Sequence, residues 1–117
     1  MTRIIAGSVF AAALCGACAT VAPLPNDRLA ATEASYRGAQ EAGADSVPRA
    51  KLYLKYSDEQ IILARKLMSE QKAGEAGQVL DRARADAELS LGLTRLAQAE
   101  SEAQQAAEQI KTLRASP

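Results

Sequence analysis

Ala50, Leu54, Ser57, Ile61, Ala64 and Met68 recur at alternating steps of four and three. At 3.6 residues per turn such a series stays on one helix face, whereas a strand would scatter it over both faces. The same period returns in Ala76, Leu80, Ala83 and Ala87, after the turn signal Ala73-Gly74-Glu75-Ala76-Gly77. A connection this tight makes the two helices antiparallel neighbours. The expected fold is all-α: an antiparallel helical hairpin or small three-helix bundle with a long C-terminal helix.

Punctuation sets the expected boundaries. Helix one is expected from about Asn26 to Ala42, capped by Asn26 or Asp27 after Pro25, with Leu29, Thr32, Tyr36 and Ala39 on one face. Gly43 is its natural stop. Helix two is expected from about Val47 to Lys72, with Ser46 as cap and Pro48 in the first turn, where a missing N–H costs nothing. Leu52, Ile62, Leu63 and Leu67 widen its apolar surface beyond one seam, which calls for neighbours on two sides. Gly74 is expected to take the left-handed conformation that ends helix two. Helix three begins near Glu75, and Leu89, Leu93 and Leu96 are expected to take over its seam one step around the helix. Gly92 interrupts that stretch at a cost of roughly 1 kcal/mol against Ala.

After Ala97 only Ile110 and Leu113 are large and apolar. This last third is expected to overhang into solvent, to pack on helix one or to pair with another chain. Counting Tyr and Met, 16 of the 22 large apolar residues after Ala17 lie between Val47 and Leu96, so helices two and three form the core and helix one an accessory layer. A core of this size is marginal, which makes an oligomer or partner physically reasonable. Alanine, 26 of 117 residues, fills much of the remaining surface and favours helix.

The start of the chain reads as a secretory leader. Arg3 precedes the uncharged run Ile4 to Leu14, which as a helix spans only about 16 Å and is too short to cross a bilayer. Gly16 and Ala17 then provide the small residues a lipoprotein signal peptidase needs before Cys18. Leu14 bars Cys15 from that role. Ordinary cleavage at the A-x-A site of Ala17 and Ala19 is the alternative. The expected organisation is a signal peptide over residues 1–17, a lipidated tether over 18–25 and a helical domain over 26–117. Ala19 to Pro25, with two prolines, is expected to stay extended over at most about 25 Å and hold the domain close to a membrane. Two or more acyl chains on Cys18 would anchor it stably. Cys15 and Cys18 also spell C-x-x-C, but no histidine or second cysteine pair completes a zinc site, and cleavage would separate the thiols.

Candidate chemistry is sparse. The chain has no His, which removes the commonest general base and the usual zinc ligand. Ser69 to Lys72 matches S-x-x-K, yet no S-D-N or K-T-G partner follows, and a solvated helix end explains it. Asp58, Glu59, Asp81, Asp86 and Glu88 interleave with basic residues at helix spacings, so surface ion pairs are expected rather than a cation site. Tyr53 and Tyr56, beside Lys51 and Lys55, suit helix packing or, less directly, a headgroup interface. Basic residues form no stripe, so no nucleic-acid partner is expected. No catalytic, cofactor-binding or metal-binding residue is assigned, no cofactor or small-molecule substrate is implied, and the chain is not expected to be an enzyme.

Four segments carry a family resemblance: Gly43-Ala44 before Pro48, Leu63-Ala64-Arg65-Lys66-Leu67, Gly74-Glu75-Ala76, and Arg82-Ala83-Arg84-Ala85-Asp86-Ala87-Glu88-Leu89. With them the chain resembles the small alanine-rich bacterial lipoproteins of domain-of-unknown-function family 4398. The resemblance implies a helical hairpin or small bundle, exported and membrane-anchored. It brings no known activity and no functional residues. Some such proteins continue into a peptidoglycan-binding domain, which is not expected here after Pro117. The turn chemistry also resembles tetratricopeptide helix pairs, although one hairpin is too few for a repeat array.

Two expectations of function follow. The first is a non-enzymatic helical adaptor or structural protein, held in the bacterial envelope through lipidated Cys18 and using its helix faces to bind a protein partner or itself. Since Ala19 replaces the aspartate that retains many lipoproteins on the inner membrane, the periplasmic face of the outer membrane is the expected home. The second is a peptidoglycan- or lipid-facing spacer. The terminal Arg114-Ala115-Ser116-Pro117 lacks the lysine by which murein lipoprotein is covalently attached.

Overall fold

The computed structural model describes residues 23–116. The proposed leader, Cys15, Cys18 and the first half of the tether lie outside the described residues. Three α-helices follow in order: α1 (Asn26–Glu41), α2 (Pro48–Ser69) and α3 (Ala73–Ala115), with a short 3₁₀ turn at Ala44–Ser46 between the first two.

The two seams meet as their spacing requires. Ala50, Leu54, Ser57, Ile61, Ala64 and Met68 are all buried on α2, and Ala76, Leu80, Ala83 and Ala87 on α3. Contacts fix the direction of each helix. Ala50 lies against Ser90 and Gln60 against Asp86, so sequence position falls on one helix as it rises on the other, and α2 and α3 are antiparallel. Thr32 meets Leu80, and Ala42, just past α1, meets Gln98, so positions on α1 and α3 rise together and those helices are parallel. The bundle therefore runs up, down and up.

Alanine at the seams lets the backbones approach closely, and two small clusters fill the ends. At one end Leu67, Met68, Ala76, Val79 and Leu80 pack with Leu24 and Leu29. At the other, Ala39, Ala44, Ala50 and Leu54 are covered by Tyr36, Val47, Leu91 and Leu93. Leu24 was expected in an extended tether. Instead it folds onto the core, and the chain turns sharply there, with the Asn26 N–H donating to the Leu24 carbonyl at 2.8 Å. Partial burial of one leucine at an otherwise open bundle end accounts for the difference.

Several local expectations are corrected. Pro25 and Val47 occupy the positions preceding α1 and α2, and neither Asn26, Asp27 nor Ser46 caps its helix with a side chain. Gly43 does stop α1 in the left-handed region, at φ 92°. Gly74 does not end α2, because it already lies in the first turn of α3. The left-handed residue is Gln71, at φ 61°. Its N–H reaches the Met68 carbonyl at 3.1 Å and the Lys72 N–H reaches that of Leu67 at 2.9 Å, a Schellman stop built without glycine.

The takeover by Leu89, Leu93 and Leu96 also fails in part. Leu89 and Leu96 are exposed, and the buried series continues through Ser90 and Thr94. Those hydroxyls can be buried because each donates to a carbonyl, Ser90 to Ala50 at 2.8 Å and Thr94 to Ser90 at 2.9 Å. From Gln98 to Ser116 every residue is exposed. Beyond Gln98, which still donates to the Ala42 carbonyl, α3 overhangs by 17 residues, about 26 Å.

Candidate functional site

The chemistry-bearing side chains are dispersed. The Ser69 hydroxyl donates to the Lys66 carbonyl at 2.7 Å, while the Lys72 ammonium turns to Glu70 at 2.7 Å. The helix break leaves Ser69 at the end of α2 and Lys72 in the connection before α3, each with a different partner. The hydrogen bond from Lys72 holds the Glu70 carboxyl below its usual range and raises the Lys72 ammonium, the response of an exposed pair at a turn.

The carboxylates sit mainly in surface pairs. Asp81 pairs with Arg28 at 3.2 Å, Glu88 with Arg84 at 2.7 Å and Glu59 with Lys55 at 3.7 Å. Asp86 accepts a hydrogen bond from Gln60. Glu33 and Arg65 tie α1 to α2 at 2.7 Å. Among the described residues no group of three or more acidic or cysteine ligands is gathered for a metal ion.

Tyr53 and Tyr56 stack edge to face with ring centroids 6.1 Å apart. Tyr53 is half-buried and Tyr56 exposed, so the pair caps the outside of α2 rather than filling the core. Tyr36 lies between α1 and α2 beside Asp45 and Asp58. Burial first, then the charges of Asp58 and Asp45, raise its phenol above the usual value of 10.0.

The surface carries its information in apolar side chains. Leu52, Tyr56, Ile62 and Leu63 on α2 are each 42–58 % exposed, as are Leu89, Leu96 and Ile110 on α3, with Leu113 at 74 %. At 100° per residue, Leu52, Tyr56 and Leu63 fall within about 40° of one another, opposite the buried seam. Leu54 and Leu67 of α2 are buried in the bundle, whereas Leu52, Tyr56 and Leu63 are left largely exposed among the described residues. A shallow groove of about 310 Å³ runs between the start of α2 and α3, lined by Val47, Pro48, Arg49, Leu93, Leu96, Ala97 and Glu100. Among the described residues no helix is long and apolar enough to cross a membrane. Cys18, the predicted lipidation residue, lies outside the described residues.

No protein-family model matches the chain, and neither a curated protein nor a solved structure matches it. Among the described residues the fold is all-α, with three helices and large apolar side chains left exposed on α2 and α3.

Proposed function

We propose that this chain is a non-enzymatic helical adaptor or structural lipoprotein, anchored in a bacterial envelope through acylated Cys18 and binding other protein through its helix faces. Kinship with the alanine-rich lipoproteins of domain-of-unknown-function family 4398 belongs to this reading, on the segments quoted above. The observation that carries it is the set of large apolar side chains left in water on α2 and α3, Leu52, Tyr56, Ile62, Leu63, Leu89 and Leu96. Single exposed leucines are ordinary, but a helix face repeating them on the side away from the core is the mark of a contact surface. The Gly16-Ala17 pair before Cys18 supports the anchor, and the short tether would keep the bundle near the membrane.

The test has two readouts in a bacterial host. Labelled fatty acid should enter the wild type and Cys15→Ala but not Cys18→Ala, which should leave the membrane fraction or accumulate as precursor. A photo-crosslinking residue at Leu52 or Leu63 should capture an envelope protein or a second copy. Label retained in Cys18→Ala would sink the anchor, and no capture at either position would sink the adaptor.

The spacer reading keeps one observation in its favour, the 17-residue overhang of α3 beyond Gln98 with its polar, helix-favouring sequence. Sedimentation with purified peptidoglycan, with and without residues 98–117, separates it from the first reading.

A further inference from the structure

The back of α3 repeats with a period of its own. From Leu89 the steps three and four lead through Gly92 and Leu96 to Ala99, then through Ala103, Ala106 and Ile110 to Leu113. These are a and d positions of four heptads without a polar interruption, and every one is exposed. At 100° per residue they lie opposite Ala87, Ser90 and Thr94, the residues buried against α1 and α2. The series drifts slowly around the helix, as a seven-residue repeat must on 3.6 residues per turn, and such drift closes into a left-handed supercoil. In the overhang the two large apolar residues, Ile110 and Leu113, are both on the seam, and the positions facing away are Ser101, Glu108 and Ala115.

We infer that a second copy of this chain occupies this seam, forming a parallel two-stranded coiled coil along the back and overhang of α3. The inference deepens the adaptor reading and rests on it for the shared membrane. Two observations select the occupant and its direction. Arg95 falls at a g position and Glu100 at the following e position, the two that meet across a parallel pair. Among the described residues neither has an ion-pair partner within the chain. An antiparallel pair centred on Ala103 and Ala106 instead brings g beside g and e beside e, which sets Arg95 beside Ser116 and Glu100 beside Ala107 of the other copy and leaves both charges unmet. Two copies anchored by the same end in one membrane also present their α3 helices in the same direction. Glycine and alanine at Gly92, Ala99, Ala103 and Ala106 let the helices approach closely but bury little area each. Pairing is therefore weak for dispersed chains and is strengthened when anchoring raises the effective concentration.

The experiment is disulfide crosslinking of the full chain in native membranes, with the wild type, whose cysteines are Cys15 and Cys18, as background. Leu96→Cys and Leu113→Cys should each crosslink to themselves, whereas Ser101→Cys should not. All three sites are exposed within the chain, so the substitutions leave the bundle intact. Arg95→Glu should lower the Leu113→Cys dimer about two- to tenfold, and adding Glu100→Arg should restore it. Crosslinking only in a mixture of the Leu96→Cys and Leu113→Cys chains would mean antiparallel pairing and overturn the inference. So would equal yield at Ser101→Cys, no dimer at any site, or failure of the double charge reversal to restore it. Fatty-acid labelling on the same samples separates the two claims: labelled membranes without dimer defeat the coiled coil alone, and unlabelled chain defeats the anchor.

Discussion

Two serines face the α2–α3 seam, both fully buried, and their hydroxyls have opposite fates. Ser90 donates to the Ala50 carbonyl at 2.8 Å, whereas among the described residues the Ser57 hydroxyl has no partner. Substituting each by alanine applies the same chemical change at two mid-helix sites. The gain in helix propensity, a few tenths of a kcal/mol, and the loss of one oxygen's volume are common to both. The difference between the two variants therefore isolates hydrogen bonding. Ser90→Ala forfeits a net bond worth about 1 kcal/mol, while Ser57→Ala removes a desolvated, unpaired hydroxyl and recovers at least about 1 kcal/mol. Ser57→Ala should thus be the more stable variant by about 2 kcal/mol, roughly thirtyfold in the folding equilibrium, and should also exceed the wild type. Urea unfolding followed by far-ultraviolet circular dichroism measures this, provided the m-values agree. Equal stabilities, or the reverse order, would refute the assignment of these two hydroxyls and with it the register of the seam.

Two further predictions follow from the turns and the α1–α2 groove. The left-handed position after α2 is held by Gln71 and the one after α1 by Gly43, so Gln71→Gly should stabilise by about 0.5–1 kcal/mol and Gly43→Ala should destabilise by about 1 kcal/mol, both read from thermal melts. Opposite signs would show that the two turns are not the stops described. Tyr36, isolated spectroscopically as the difference between wild type and Tyr36→Phe, should ionise above pH 10, and Asp58→Asn should bring it down. Because the folded state holds this proton more tightly than the unfolded chain, the associated stability is present in full below the usual tyrosine value and is lost as pH rises through the raised one.

Sequence periodicity located six of the seven buried residues of α2, since all six residues of its seam, from Ala50 to Met68, lie where steps of four and three require, and Leu67, outside the seam, is the seventh. It lost the interior of α3 at Ser90 and Thr94. Polar residues count against burial until the carbonyls that satisfy them are known, and one of those is on Ala50, forty positions away in sequence. Glycine drew attention at Gly74 as the natural stop, yet the chain turned at Gln71, where two backbone hydrogen bonds hold a conformation that the side chain alone disfavours. The caps expected from Asn26, Asp27 and Ser46 were displaced by Pro25 and Val47, whose backbones accept the first helical N–H groups from Leu29 and Lys51. Of the candidate surface, the apolar excess of α2 was legible at Leu52, Ile62 and Leu63. The seam on the back of α3 was also written in the sequence, but Leu89 and Leu96 were assigned to the core, which hid the repeat they begin.

The up-down-up course has a mechanical consequence. The chain enters the bundle at Leu24, beside the α2–α3 turn, and α3 leaves it at the opposite end beyond Gln98. A load drawn between Leu24 and Ser116 runs along the parallel contact of α1 with α3. It strains Arg28–Asp81, Thr32–Leu80 and Gln98–Ala42 together rather than peeling them one after another. Two short helices and one long one thus resist stretching in shear, the direction in which so small a core is strongest.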